Sequence, residues 1–570
     1  MVLDRWHARR AAKARPATGI TSQPEPRTIG HFARGRQLLA GNFLFAGSLI
    51  EAPDTAPWAL TAPDVAFSRA LHGFGWMDDL AAVGDARARQ TAQGWLQGWI
   101  AQFGGGKGPG WTPDLTGRRM IRWIGHALFL LRGQDKEASD AFYRSLAQQT
   151  IFLSHRWESA APGLPRFEAL TGMIYAALSL TGMEEHLSPA LTALERDCRT
   201  QIDDEGGLPT RNPEELLEVF TLLTWAALIL RENGHQPGAE LTGALQRVAP
   251  TLRALRHADG GLARFHGGGR GLEGRLDHAL ADAEDRSRPE PGLHMGFTRL
   301  QAGRSTVVMD CAPPPTGDAA RSAHASTLAF ELTSGRRPVV VNCGSGMDFG
   351  IEWRRAGRAT PSHSTLSLGG LSSAQLANTD RNGDELLIDG PQETPWDSAR
   401  TPEAFRIEAG HDGWRHSHGL THARTLDLHF DGRVLVGEDI LTTLSPEDEE
   451  GFDQMLDRRN LDGVPFAIRF HLHPDADASL DLGGNAVSIS LRSGEIWVFR
   501  CDGPAAMSLE NSVYLESGRL RPRATQQVVL SGVVLSYATR VRWAFAKAHD
   551  TPTALRDVAL PEDEGTADPA

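Results

Sequence analysis

Near residue 285 the chain changes its hydrophobic period, and that change restricts the possible folds more than any other feature. Upstream, in stretches such as 77–100, 118–132 and 214–231, apolar residues recur at three- and four-residue spacing. Downstream, in 305–310, 327–332, 466–473 and 527–530, they alternate or run in short blocks. The first period predicts amphipathic helices and the second antiparallel strands. A helical half followed by a β half gives an α+β multidomain protein and excludes a doubly wound nucleotide-binding body.

With 570 residues the chain is long enough for at least two cores. Hydrophobic residues make up 41% and charged residues 23%, the balance of a globular protein. A formal charge of -13 argues against nucleic acid as a partner, because phosphate binding needs a basic surface. Four scattered cysteines, Cys198, Cys311, Cys343 and Cys501, form no C-x-x-C pair and are expected as buried thiols. No apolar stretch approaches the length of a transmembrane span. The first sixteen residues carry Arg5, Arg9, Arg10, Lys13 and Arg15 but no apolar run of secretory type, so no signal peptide is expected. This leaves a cytoplasmic or envelope-associated location open, and an amphipathic segment lying on a membrane or on the protein itself fits the same residues.

Helices are expected over 76–100, 115–131, 137–153, 164–180, 189–202, 213–230 and 238–255, joined by short links that suit antiparallel neighbours. A closed ring of helix pairs and an ordinary bundle both satisfy this pattern. The segment 257–271 reads as a glycine-rich loop and 282–291 as a linker. Asp431-Gly432 is the sharpest hairpin signal, and the charged stretch 447–462 suits a helical turn or an exposed loop.

Several groups of residues can carry chemistry. Asn212, before Pro213, suits a helix cap, with Glu214 and Glu215 answering the helix dipole; it also suits a hydrogen bond to a substrate carboxylate, with Arg211 supplying charge. His324 and His363 stand near predicted strand starts, but no H-x-x-H pattern marks a metal site. Period two places Arg469, His471 and His473 on one strand face, and His418, His422 and Arg424 on another, where they can meet solvent or an anionic chain. No carboxylate pair for glycoside hydrolysis stands out.

Several strings resemble the heparinase II/III-like family. They are WTPDLTGRR from Trp111, RNPE from Arg211, HADGGLARF from His257, AHASTLAFELTSG from Ala323, VNCG from Val341, ATPSHSTL from Ala359, FAIRFHLHP from Phe466 and ENSVYL from Glu510. The resemblance spans residues 75–550. It implies an incomplete α/α toroid over 36–285 and a β-sandwich domain over 286–555, with an extension at 1–35 and an acidic tail at 556–570.

The resemblance also implies a lyase that cleaves an acidic, uronate-containing polysaccharide or oligosaccharide by β-elimination, with a glycan-binding or envelope-assembly role as the alternative. Its catalytic candidates are Asn212 as carboxylate neutraliser, Tyr175 as the tyrosine nearest the toroid cleft, and His324. Arg211, Glu215, Arg358, His422 and Arg424 are the substrate-binding candidates. His324, His363 and Asn342 match a zinc site in degenerate form, so Zn²⁺ is an optional occupant and no cofactor is required. Four family positions depart: Ser322 replaces a histidine, Ser326 an aspartate, Asn342 the carboxylate of a V-D-x-G string, and Pro213 the histidine that follows Asn212. Cys343 is a conceivable substitute ligand.

Overall fold

The computed structural model describes residues 2–13, 17–379 and 385–548. The predicted tail, 556–570, lies outside the described residues. Helices fill the chain up to Arg275–Asp282, and the β half opens at Phe297–Ala302. The helical half is an open toroid of packed antiparallel helices. Pro113–Gly125 crosses Leu164–Ser179, which also packs on Leu187–Gln201 and Pro213–Glu232. The first crossing is close because glycines meet there: a Cβ on Gly117 would lie 2.1 Å from the Glu168 carbonyl oxygen. Any larger residue would force these helices apart.

The expected helix over 76–100 is two helices, Trp76–Val83 and Ala86–Phe103. Gly84, at φ +68°, ends the first, and the Asp85 side chain accepts the Ala88 N–H at 2.7 Å to start the second. Apolar spacing continues across this break, so periodicity alone joins the two. A two-stranded hairpin, Asn42–Phe45 with Ser48–Glu51, interrupts the helical half. Its turn glycine, Gly47 at φ +77°, lies against the backbone of Asp348 in the β half.

The β half is a sandwich of two antiparallel sheets. One runs from Trp396–Arg400 through Ala404–Trp414, Leu420–His429, Val434–Thr442, Ala538–Lys547, Ile496–Asp502 and Ala486–Leu491 to Ala476–Asp481. The other runs from Ala506–Tyr514 through Arg523–Val534, Val464–Leu472, Arg337–Val341, Phe330–Ser334 and Ser305–Asp310 to Phe297–Ala302. Inward residues of both sheets, among them Phe330, Phe470, Trp543 and Phe545, form one core. Each such fully buried ring contributes about 2–3 kcal/mol by area removed from water. The hairpin at Asp431-Gly432 forms as expected, and 447–462 is mostly a helix, Pro446–Arg458, capped by Ser445. All four cysteines are free thiols.

Candidate functional site

A cleft of about 720 Å³ lies between the toroid and the sandwich. Its helical wall is built by Asp78 and Asp79 on Trp76–Val83, Arg118 and Arg122 on Pro113–Gly125, Glu168, and Glu214 and Glu218 on Pro213–Glu232. The loop 268–273 forms its floor, and Ser345, Asp348 and residues 514–518 supply the β side.

The charges in this wall are mostly paired. Arg118 Nε donates to Glu168 Oε1 at 2.7 Å, Arg122 Nε to Asp78 Oδ2 at 3.0 Å, and Arg275 Nη1 to Glu218 Oε1 at 2.5 Å. Asp78 also accepts from Thr28 at 2.7 Å. Burial opposes its ionisation, but Arg122 and His126 outweigh that and hold its carboxyl below the usual range. Asp79 is different: it accepts the His31 N–H at 2.8 Å, and burial pushes its carboxyl up to about 6. Burial also raises Glu168, against Arg118, and Glu214, whose Oε2 accepts the Gly269 N–H at 2.7 Å. Six arginines and eight carboxylates line the cleft, so it lacks the excess positive charge that draws a polyanion.

None of the residues expected to act in catalysis, substrate binding or metal binding lines this cleft, although Glu214, near Asn212, does. Asn212 comes nearest. Its Oδ1 accepts the Glu214 and Glu215 N–H groups at 3.0 and 3.1 Å, and a Cβ on Gly268 would lie 2.3 Å from that oxygen. The carboxamide therefore caps its helix behind the glycine loop. Glu215 points elsewhere, accepting from Thr210 Oγ1 at 2.7 Å. Tyr175 is 2% exposed in the toroid core, and burial raises its phenol well above the usual range. It is no cleft base.

The expected substrate-binding cations are likewise structural. Arg211, at φ +50°, donates to the carbonyls of Met295, Gly296 and Pro313 and to Asp310 Oδ1, so it ties the toroid to the sandwich. Arg358 is spent on the carbonyls of Ala320, Ala323 and Glu385. Arg424 donates from Nε to Asp439 Oδ1 at 2.8 Å, with His422 Nε2 on the same oxygen at 2.7 Å, all fully buried between the sheets. On the face carrying Arg469, His471 and His473, the two histidines are buried and Arg469 is half-buried: His471 Nε2 donates to the Pro361 carbonyl and its Nδ1 accepts from Ser512. His418 is also buried, beside Ser417 Oγ at 2.7 Å.

His324 and His363 do meet, Nδ1 to Nε2 at 3.1 Å. His363 Nδ1 is held by the Ala359 carbonyl at 2.9 Å, so its Nε2 accepts from His324. The third expected ligand does not join them. Asn342 Oδ1 accepts the Ser364 N–H at 3.0 Å, and its Nδ2 faces the Arg264 carbonyl and Glu331. The Cys343 thiol contacts His471 and Ser512, and burial pushes it up to about 11. Two neutral imidazoles with no anionic donor do not fit a zinc site. Among the described residues no group of three or more His, Cys, Asp or Glu is placed to hold a metal.

Sequence reasoning missed Tyr514, Arg264 and Asp310. Tyr514 lines the cleft, with the Arg264 guanidinium 4.0 Å over its ring and His473 edge-on at 5.0 Å. Burial raises its phenol. Arg264 donates to the carbonyls of Asn342, Cys343 and Leu515, a second tie across the junction. With only four tyrosines in the chain, the ENSVYL string was the available signal for Tyr514.

A toroid on an antiparallel sandwich, with a cleft at their junction, is the architecture expected from the resemblance, and comparison with known proteins agrees. Residues 284–544 match the "Heparinase II/III-like, C-terminal" family model. FtsZ-localized protein C of Caulobacter vibrioides is 32% identical over 552 residues, covering 95% of this chain and 92% of that protein. The chain therefore belongs to the heparinase II/III-like family. Among solved structures, heparinase III is similar at 12% identity, covering 96% of this chain and 89% of that one, with a TM-score of 0.71. A heparan sulfate lyase from Pedobacter heparinus is similar at 14% identity, covering 96% and 88%, with a TM-score of 0.55. These two likenesses establish a shared fold alone.

Proposed function

We propose that this protein works at an FtsZ-organised division site as a non-eliminating member of its family, one that keeps the lyase cleft for binding. The site of action is suggested by the chain-long similarity to FtsZ-localized protein C. One observation carries the loss of chemistry: Asn212 does not line the cleft, and its Oδ1 caps its own helix beside Gly268. Elimination next to a carboxylate builds negative charge on that group, and a neutraliser facing the ligand is what lowers the barrier. A cleft with more carboxylates than arginines adds charge of the wrong sign. The balanced lining suits a neutral glycan better than a uronate polymer.

A fluorescent fusion should form a midcell band with FtsZ and disperse when FtsZ is depleted; a band that persists without FtsZ sinks the localisation. The purified chain should give no rise in ultraviolet absorbance from an unsaturated uronate product on uronate-rich polysaccharides.

The lyase reading has one observation in its favour, Tyr514 in the cleft beside the Arg264 guanidinium. A cation over the ring stabilises a phenolate, as a tyrosine base requires. An absorbance rise abolished by Tyr514→Phe would establish that reading and overturn the first.

A further inference from the structure

The helix Val2–Ala11 is packed with its large apolar residues outward. Ala8 and Ala11 are buried at 0% and 4% exposure, whereas Val2, Leu3 and Trp6 are 86%, 60% and 52% exposed. A helix that served only to cover the toroid would bury the larger side chains. Its orientation is fixed from beneath. Gln148 Nε2 donates to the Ala8 carbonyl at 2.9 Å, Arg156 Nε to Asp4 Oδ1 at 2.8 Å, and Gly106 lies directly under the Arg9 backbone.

At 100° per residue, Val2, Trp6 and Leu3 form a strip, with Arg5 and Arg9 along one side and Arg10 within its other half. All three arginines are exposed, and among the described residues they enter no ion pair; Arg10 lies 5.4 Å over the Trp6 ring. Lys13 extends the basic run. The patch is thus locally positive on a chain whose net charge is -13.

We propose that this outer face docks on an anionic lipid surface. Trp6 would sit at the level of the headgroups, Val2 and Leu3 would enter the acyl boundary, and the arginines would reach lipid phosphates. Charge decides among the possible occupants. A second copy would bring the same arginines face to face, and a neutral apolar protein surface would leave them buried without partners. An anionic bilayer satisfies both the apolar strip and its basic borders. The proposal is independent of the division-site reading, since it rests on this helix alone.

Flotation of the full chain with vesicles tests it. The protein should float with mixed phosphatidylglycerol–phosphatidylcholine vesicles and stay below with phosphatidylcholine alone. Each basic residue near an anionic surface is worth about fivefold in partitioning. The Arg5→Ala, Arg9→Ala, Arg10→Ala triple variant should therefore bind on the order of a hundredfold more weakly, and added salt should weaken wild-type binding. Trp6→Glu and, separately, Leu3→Glu should each reduce flotation at least about tenfold with an unchanged melting temperature, because both side chains are exposed. Failure of the wild-type chain to float overturns the proposal, as does equal flotation of both glutamate variants. So does concentration-dependent dimerisation, without vesicles, that Trp6→Glu abolishes.

Discussion

Arg211 Nη2 and Asp310 Oδ1 stand 2.5 Å apart in the junction between the toroid and the sandwich, with Asp310 fully buried. Asp310 Oδ2 also accepts from Ser326 Oγ at 2.8 Å, so the serine at the family's aspartate position belongs to this network. His266 Nε2 lies 3.5 Å away, at the outer limit of a hydrogen bond. Burial opposes ionisation of Asp310, but the Arg211 guanidinium overcomes it and holds the carboxyl well below the usual range.

Arg211→Ala should therefore destabilise the protein by about 3–5 kcal/mol, the cost of leaving a buried charge unpaired. Arg211→Gly removes the same charge but relaxes the φ of +50°, and should cost about 1 kcal/mol less. Because the Asp310 carboxyl is held below its unfolded value, its contribution is present above about pH 4 and lost as pH falls below that. The difference between wild type and Asp310→Asn should shrink correspondingly in acid. Urea titrations across pH measure all three effects. An Arg211→Ala cost under about 1 kcal/mol would show that water reaches the junction.

The two-half architecture was legible because hydrophobic period reports which face an element buries, and the Asp431-Gly432 hairpin because its turn chemistry is local. The break at Gly84-Asp85 was also written in cap residues, but continuous apolar spacing masked it. The site was far less legible. Arg211, Arg358, His422 and Arg424 look like ligand-binding groups in one dimension. Only the fold reveals that backbone carbonyls and buried aspartates use their donors. The cleft carboxylates Asp78, Asp79 and Glu168 sit on ordinary amphipathic helices, so nothing in the spacing set them apart from a solvated face.

Asn212 separates capping from ligand contact. Asn212→Asp should leave stability within about 0.5 kcal/mol of wild type, because aspartate accepts the same two N–H groups, and Asn212→Ala should cost about 1 kcal/mol. Glycan retention should be unchanged in Asn212→Asp. A loss of retention or turnover at unchanged stability would return the carboxamide to the ligand site.

Zinc should be well below one equivalent after dialysis of the purified protein. His324 and His363 satisfy each other, and both Asn342 and Cys343 are engaged elsewhere, so the charged ligand that holds much of the metal's binding energy is missing. Elemental analysis decides this. Stoichiometric zinc that disappears in His363→Ala would require the pair to open around a metal with a donor drawn in from outside the cluster.

Asp79 gives the cleft a charge that changes near neutral pH. Its carboxyl is raised to about 6 by burial, above the roughly 3.9 of an unfolded aspartate. The folded state then holds its proton more tightly than the unfolded state. The penalty for ionising it is fully present above pH 6 and fades as pH falls toward 4. Asp79→Asn keeps an acceptor for the His31 N–H and removes the charge, so it should stabilise the protein at pH 7.5 by about 1–2 kcal/mol and by much less at pH 4.5. Any neutral ligand that displaces water from this wall should bind more tightly below pH 6, where the side chain is protonated and costs less to desolvate. Denaturation midpoints of both proteins at the two pH values measure the first effect, and glycan retention across the same range measures the second. A stabilisation independent of pH would mean that Asp79 ionises normally and that the cleft wall carries its full negative charge throughout.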